Sequence, residues 1–190
     1  MHLRQATASD AATIALLHAE SWRRHYRGAY ADTYLDGDVV ADRRAVWSAR
    51  LTAAGHSLTV LAEDGAEPVG FVHVVFDDDP RWGSLIDNLH VRSGRQRGGV
   101  GTALMARAVE EVRERASSER RYLWVLEQNT AAQDFYRALG GECVERATVS
   151  APGGVASRLR GSPRKLRFSW GDTPMDAPPS SPGPERRLCQ

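Results

Sequence analysis

Leu85-Ile86-Asp87-Asn88-Leu89-His90-Val91, then Arg92-Ser93-Gly94-Arg95-Gln96-Arg97-Gly98-Gly99-Val100-Gly101, then Thr102 to Ala116, is the stretch whose reading decides the fold. In the first segment a period of two puts Leu85, Leu89 and Val91 on one face and Ile86, Asn88 and His90 on the other, which predicts a strand. In the last, Leu104, Ala108, Val112 and Ala116 recur at helical spacing with Arg and Glu between them, which predicts an amphipathic helix. A strand, a basic Gly-rich turn and a helix start bring unpaired backbone N–H groups and a positive dipole end to one point. Such a point suits a phosphate or pyrophosphate. The turn lacks the Gly-Lys-Ser/Thr ending of a Walker loop, which excludes that class of nucleotide site.

Composition bounds what the site can belong to. A chain of 190 residues with 42% hydrophobic and 26% charged residues fills one globular domain rather than two. A formal net charge of +1 leaves no global basic field for nucleic acid, although Arg92, Arg95 and Arg97 concentrate charge at the Gly-rich turn. The two cysteines, Cys143 and Cys189, have no metal-ligand spacing, so no metal site is expected. No apolar run reaches membrane-spanning length and Met1 to Gln5 lacks the apolar core of a signal peptide, so a cytoplasmic protein without a membrane partner is expected. Residues 1–171 read as one domain. Residues 172–190, with Pro174, Pro178, Pro179, Pro182 and Pro184 among Ser and Asp, read as a disordered tail.

Working outward, Leu3 to Ala6 reads as a first strand, and Ser9 or Asp10 as the cap of a helix over Ala11 to Arg24. Tyr26-Arg27-Gly28-Ala29-Tyr30 is an aromatic and basic patch. Asp36-Gly37-Asp38 is a turn signal before a helix over Val39 to Ala53, with Val46, Trp47 and Leu51 inward. Leu58 to Ala62 and Val69 to Phe76 flank the polar turn Glu63 to Pro68, which predicts a hairpin, with Asp77-Asp78-Asp79-Pro80 as its solvated end. Arg121 to Leu126 reads as a strand parallel to the central one, since a strand-helix-strand unit crosses over in that way. Asn129 or Thr130 starts a helix whose inner face is Ala132, Phe135, Tyr136 and Leu139 and which Gly140-Gly141 stops. Cys143 to Val149 and Arg164 to Trp170 are expected to close the sheet.

Two of these segments carry a resemblance. Gln96-Arg97-Gly98-Gly99-Val100-Gly101 resembles the Gln/Arg-x-x-Gly-x-Gly/Ala signature of the GNAT N-acetyltransferase superfamily. Asn129-Thr130-Ala131-Ala132-Gln133-Asp134-Phe135-Tyr136 with Leu139-Gly140 resembles its second motif, an Asn followed seven residues on by a Tyr. Ser21-Trp22 with Tyr26-Arg27-Gly28 is similar to a branch of bacterial members. The likeness spans about Leu3 to Trp170 and is best between Leu85 and Gly140.

The resemblance implies an α/β fold: a mixed, largely antiparallel twisted sheet of six to seven strands with about four helices, splayed between the central parallel strands. It implies acetyl-CoA as co-substrate and direct transfer of its acetyl group to a primary amine of a small molecule or peptide, by a monomer or homodimer. Leu89, His90 and Val91 would pair with the pantetheine arm as an added strand would. Gln96, Arg97, Gly98, Gly99, Val100, Gly101 and Thr102 would wrap the pyrophosphate. Asn129 would touch the same molecule, and Tyr136 would protonate the leaving thiolate. The chemistry needs a neutral amine, a backbone donor for the oxyanion and an acid for the thiolate.

Where many relatives place a Glu near the start of the central strand, this chain has Leu85. Asp87, two residues on, is the candidate base or amine ligand, set against a solvated strand residue; His73, His90 and Glu127 stand behind it. Tyr26 and Tyr30 are candidates for the acceptor pocket, whereas Trp22 and Tyr34 read as core. A non-catalytic acyl-CoA-binding regulatory module is the alternative, favoured by Leu85 and opposed by Tyr136.

Overall fold

The computed structural model describes residues 1–53 and 55–171; the expected tail from residue 172 lies outside the described residues. Seven strands form one sheet in the order β1-β2-β3-β4-β5-β7-β6. They are β1 His2–Gln5, β2 Ser57–Asp64, β3 Glu67–Asp79, β4 Gly83–Val91, β5 Arg121–Leu126, β6 Glu142–Thr148 and β7 Arg164–Trp170. Only β4 and β5 run parallel; every other neighbouring pair is antiparallel. The helices are α1 Ala11–His25, α2 Asp32–Asp36, α3 Val39–Thr52, α4 Val100–Arg115 and α5 Thr130–Ala138, with three short 3-10 turns. The architecture is the mixed, mostly antiparallel one expected.

Two cores lie on opposite faces of the sheet. Val72, Val74 and Ile86 pack with Leu104, Met105, Ala108 and Val112 of α4, and Leu123, Val125, Leu166 and Phe168 join them under Tyr136 of α5. On the other face Leu61 and Phe71 meet Ile14, Ala15 and Leu17 of α1 and the fully buried Trp47 of α3. Beside them Trp22, Tyr30, Tyr34 and Leu35 form an aromatic cluster that reaches Leu126 and Val149.

Several local expectations are corrected. Asp10 stands at the N-cap of α1 as expected but makes no side-chain capping bond to it; its carboxylate accepts the Thr7 backbone N–H at 2.8 Å and pairs with Arg4, stabilising a 3-10 turn ahead of the helix. Tyr34 and Leu35 lie in a short helix, α2, that was not expected, while Tyr34 is in the core as expected, within the aromatic cluster. The β3 strand continues through Asp77 to Asp79: Asp77 accepts from the Ser117 backbone and hydroxyl, and Asp78 accepts the Tyr122 hydroxyl. Those acids have partners, so the strand does not stop at them. Val46 is half-buried, whereas Trp47 fills the centre of the α3 contact with Leu51 packed beside it, as expected.

The correction that matters most is in β4. The register pairs His73 with Asn88 but Val74 with Ile86, so Asp87 is an extra residue opposite that step, a β-bulge. A bulge inverts the alternation beyond it. Ile86 therefore packs in the α4 core on the same side as Leu89 and Val91, and Leu85 does not share their face.

Candidate functional site

The bulge lies just past the last pairing between β4 and β5. These strands pair only at Ser84 with Arg121 and Leu85 with Tyr122, although β4 runs on to Val91 and β5 to Leu126. A bulged strand bends and twists more strongly, so from Asp87 onward β4 leaves its parallel neighbour and a V-shaped cleft opens between them.

The β4 side of that cleft presents backbone. The Arg92 N–H donates to Val69 O on β3 at 2.8 Å, and alternation then turns the peptide groups of His90 towards β3 and those of Leu89 and Val91 towards the cleft. An extended ligand could pair there as an added strand. Of the three strand residues named for this role, Leu89 and Val91 have their backbone groups on the open side. The backbone of His90 belongs to the β3 ladder.

At the wide end of the cleft the Gly-rich turn leads into α4. Arg97 at φ 65° and Gly99 at φ 79° both take the left-handed region, which brings the chain round into Val100 as the first helical residue, two residues before the expected Thr102. The first helical hydrogen bond in this turn is Ala103 N–H to Gly99 O at 2.9 Å, which leaves the amides of Val100, Gly101 and Thr102 at an open helix end. Gln96 and Gly98 border a cavity of about 270 Å³ with Met1, Asp64, Val69, Gly94, Arg95 and Val100. The charge at the turn is smaller than its three arginines suggest. Arg92 and Arg95 are both bound to Glu67, and Arg95 also to Asp64, on the β2–β3 hairpin. Arg97 has no carboxylate partner among the described residues.

The β5 side is completed by α5. Asn129 caps it, its side-chain oxygen accepting the Ala132 N–H at 3.3 Å. Phe135 reaches across the cleft mouth to within 3.4 Å of where a Cβ on Gly101 would stand, so the two motif helices touch at that glycine. Tyr136 is 7% exposed, packed against Phe135, Phe168 and Trp170. Burial pushes its phenol pKa up, so it holds its proton at neutral pH. Its hydroxyl has no hydrogen-bond partner among the described residues. Tyr26, at the end of α1, is raised in the same way, first by burial and then by the charges of Tyr136 and Asp87, so it lies within electrostatic reach of both. Tyr30 is 6% exposed inside the aromatic cluster, against Trp22, Tyr26 and Tyr34.

Asp87 turns to the α1–α3 side. Its Oδ2 accepts from Arg50 Nη1 at 2.6 Å and from Asn88 Nδ2 at 2.7 Å. Oδ1 takes no bond from the described residues. The other base candidates are closed off. Glu127 is paired with Arg146. His73 shares a 2.8 Å hydrogen bond with Thr59, and burial lowers its pKa to about 4. His90 shares a 2.7 Å bond with Ser21, and burial lowers its pKa to about 3. His18 accepts from Trp47 Nε1 at 2.9 Å, and its ring centre lies 4.7 Å from that of His90, with the planes tilted by 34°. These rings make a neutral layer between α1, α3 and the sheet. They do not form a metal site: the described residues contain no group of three or more His, Cys, Asp or Glu that could hold one.

Three contributors escaped sequence reasoning. Arg50 holds Asp87 from α3, but in the sequence it is one arginine among many on an exposed helix. Gln128 Nε2 donates to His25 O at 3.0 Å and Arg27 O at 2.8 Å, tying the turn that carries Tyr26 to the end of β5. Trp124, on β5, lies under Lys165. Each acts across the sheet, over separations that no periodicity reports.

Comparisons agree with this geometry. A model of the acetyltransferase (GNAT) family matches residues 15–140. The chain is similar to the probable N-acetyltransferase Rv2775 of Mycobacterium tuberculosis, 29% identical over 139 residues that cover 72% of this chain and 76% of that one. It is also similar to the uncharacterized N-acetyltransferase YuaI of Bacillus subtilis, 26% identical over 144 residues covering 75% and 80%. In fold it is similar to the PaiA N-acetyltransferase of Thermoplasma acidophilum, solved in complex with coenzyme A, with a TM-score of 0.66 at 15% identity over 89% of this chain and 98% of that one.

Proposed function

The chain belongs to the acetyltransferase (GNAT) family, and from that premise we propose that it binds acetyl-CoA in the cleft between β4 and β5 and transfers the acetyl group directly to a primary amine of a small molecule or peptide. The observation that carries this reading is the divergence of β4 and β5 beside the open start of α4. The divergence frees an edge of backbone for an amide-bearing arm, and the open helix end offers N–H groups and a dipole to an anion.

In this reading the pantetheine arm pairs with Leu89 and Val91, and the pyrophosphate lies on the turn from Gln96 to Thr102. The Asn129 amide nitrogen, left over from capping, faces the same molecule. An amine enters from the side of Tyr26 and Asp87. Its ammonium is held by the open Oδ1 of Asp87 and passes its proton to that oxygen or to water. The neutral nitrogen attacks the thioester carbonyl, and a backbone N–H of the bulged strand receives the oxyanion. The C–S bond breaks as the Tyr136 hydroxyl protonates the thiolate. Arg50, bonded to Oδ2, fixes the direction of the Asp87 carboxylate and leaves Oδ1 to the amine. The acetyl-CoA pool makes the cytoplasm the compartment expected.

Thiol release from acetyl-CoA across a panel of primary amines, beside calorimetric binding of acetyl-CoA, tests the proposal. Binding with amine-dependent release supports it. Tight binding without release for any amine would favour a non-catalytic acyl-CoA-binding module, and absence of binding would remove both readings.

A further inference from the structure

Lysine occurs once in this chain. Twenty-five residues are Lys or Arg, and all but Lys165 are arginine. The side chains of arginine stay protonated at any physiological pH, so Lys165 is the chain's sole side-chain amine able to act as a nucleophile.

Its position is specific. In the β5–β7 ladder Lys165 stands opposite Leu126, at the end of β5 where the cleft is open. Its β7 neighbours Leu166 and Phe168 point into the α4–α5 core, so Lys165 lies on the opposite face, the one that Asp87 and Arg50 occupy. The Nζ sits 4.3 Å from the centre of the Trp124 ring, two residues back along β5, so the side chain leans over that strand. Two other cations of this face have carboxylate partners: Arg50 has Asp87 and Arg167 has Glu145. Lys165 has none among the described residues, and is half-buried.

Resting on the acetyl-CoA reading above, we infer that Lys165 is itself an acetyl acceptor: its ε-amine takes the acetyl group from acetyl-CoA bound in the adjoining cleft, so that the protein modifies its own acceptor side. The Nζ lone pair attacks the thioester carbonyl carbon, a C–N bond forms and the C–S bond breaks. The electron pair leaves with sulfur, and the proton lost from nitrogen ends on the thiolate. The products are ε-N-acetyl-lysine and free coenzyme A, with no change of oxidation state. Burial, and then the charge of Arg167, lower the pKa of the ammonium, while Glu145 and Asp87 act in the opposite sense; the net shift is downward and enlarges the neutral fraction. Holding the amine beside the thioester replaces a collision by a local step, the kind of gain that makes a single tethered amine react ahead of free ones. The product is uncharged and removes a cation from the electrostatic reach of Asp87.

Incubation of the full chain with acetyl-CoA and no added amine tests this by intact-mass and peptide mass spectrometry. The α-amino terminus is the only competing primary amine, so the assignment is direct. The expected result is one acetyl group, accumulating with time, on Lys165; Lys165→Arg should abolish it. Gly98→Val, which blocks the pyrophosphate turn, should slow it by on the order of tenfold or more. Acetyl-CoA binding by calorimetry without acetylation of Lys165 would overturn the inference and leave the acetyltransferase reading standing. No binding would overturn both. Acetylation at the same rate in the Gly98→Val variant or in heat-unfolded protein would mean ordinary chemical acetylation, and would also overturn it.

Discussion

Lowering the pH from about 7.5 to about 5 should destabilise this fold through its buried histidines. His73 and His90 are neutral in the folded state, with pKa values of about 4 and about 3, mainly because burial disfavours the charged ring. In the unfolded chain both return to about 6.5. Between those values the unfolded chain binds protons that the folded one does not, so stability falls as pH falls from 6.5 towards 4. At about pH 5 each ring accounts for a loss of about 2 kcal/mol, or about 4 kcal/mol together, against a total stability of ~5–15 kcal/mol for an ordinary domain. His18 shifts in the same direction through burial and the neighbouring His90. The carboxylates work lower on the scale: Asp10, held at about 2 by Arg4, contributes a loss only below about pH 4. Urea titrations followed by tryptophan fluorescence at the two pH values measure the difference, and His73→Leu should reduce it by about 2 kcal/mol. A wild-type loss under about 1 kcal/mol would mean that the histidine layer admits protons, and the packing argument for it would fail.

Three further outcomes concern the site. Gly98→Val should abolish acetyl-CoA binding without unfolding the protein, because a Cβ there meets only Arg95 O at 3.5 Å, whereas Gly101→Val should also cost stability by pressing on Phe135 and Val91; calorimetry with melting curves separates the two, and unchanged affinity in Gly98→Val would remove the turn from the site. Tyr136→Phe keeps the ring among Phe135, Phe168 and Trp170 and should leave folding and acetyl-CoA affinity nearly intact while lowering turnover by about one to three orders of magnitude; equal turnover would make Tyr136 a core aromatic alone. Asp87→Asn should slow the reaction mostly at pH values where the acceptor amine is protonated, and superimposable pH–rate profiles would take Asp87 out of the mechanism.

Much of this fold could be read from the chain because its elements are set by local signals. The Gly-rich turn needs left-handed backbone at Gly99, and the strand before it and the helix after it each show their own period. The hairpin of β2 and β3 follows from a polar turn between apolar runs. Roles that depend on partners across the sheet were not legible. Arg92 and Arg95 read as positive charge concentrated at the turn, but Glu67 and Asp64 of the hairpin pair with them. Tyr26 and Tyr30 looked equivalent, yet the turn tied by Gln128 leaves Tyr26 by the cleft while Tyr30 is sealed under Trp22.

The bulge at Asp87 joins the legible part to the illegible one. Strict alternation assigns Leu85 and Asp87 to the face of Leu89 and Val91, and an inserted residue breaks that assignment within the element that was otherwise easiest to recognise. The same insertion bends β4 away from β5, frees the outward peptide groups of Leu89 and Val91, and swings the Asp87 carboxylate to Arg50 on the acceptor side. A regular β4 would continue its ladder with β5 past Leu85, burying the backbone edge that an amide-bearing ligand needs. Local departures from a regular pattern are expected where function is located. In this protein the departure is a single residue, and the cleft, its backbone donors and the placing of the Asp87 carboxylate all follow from it.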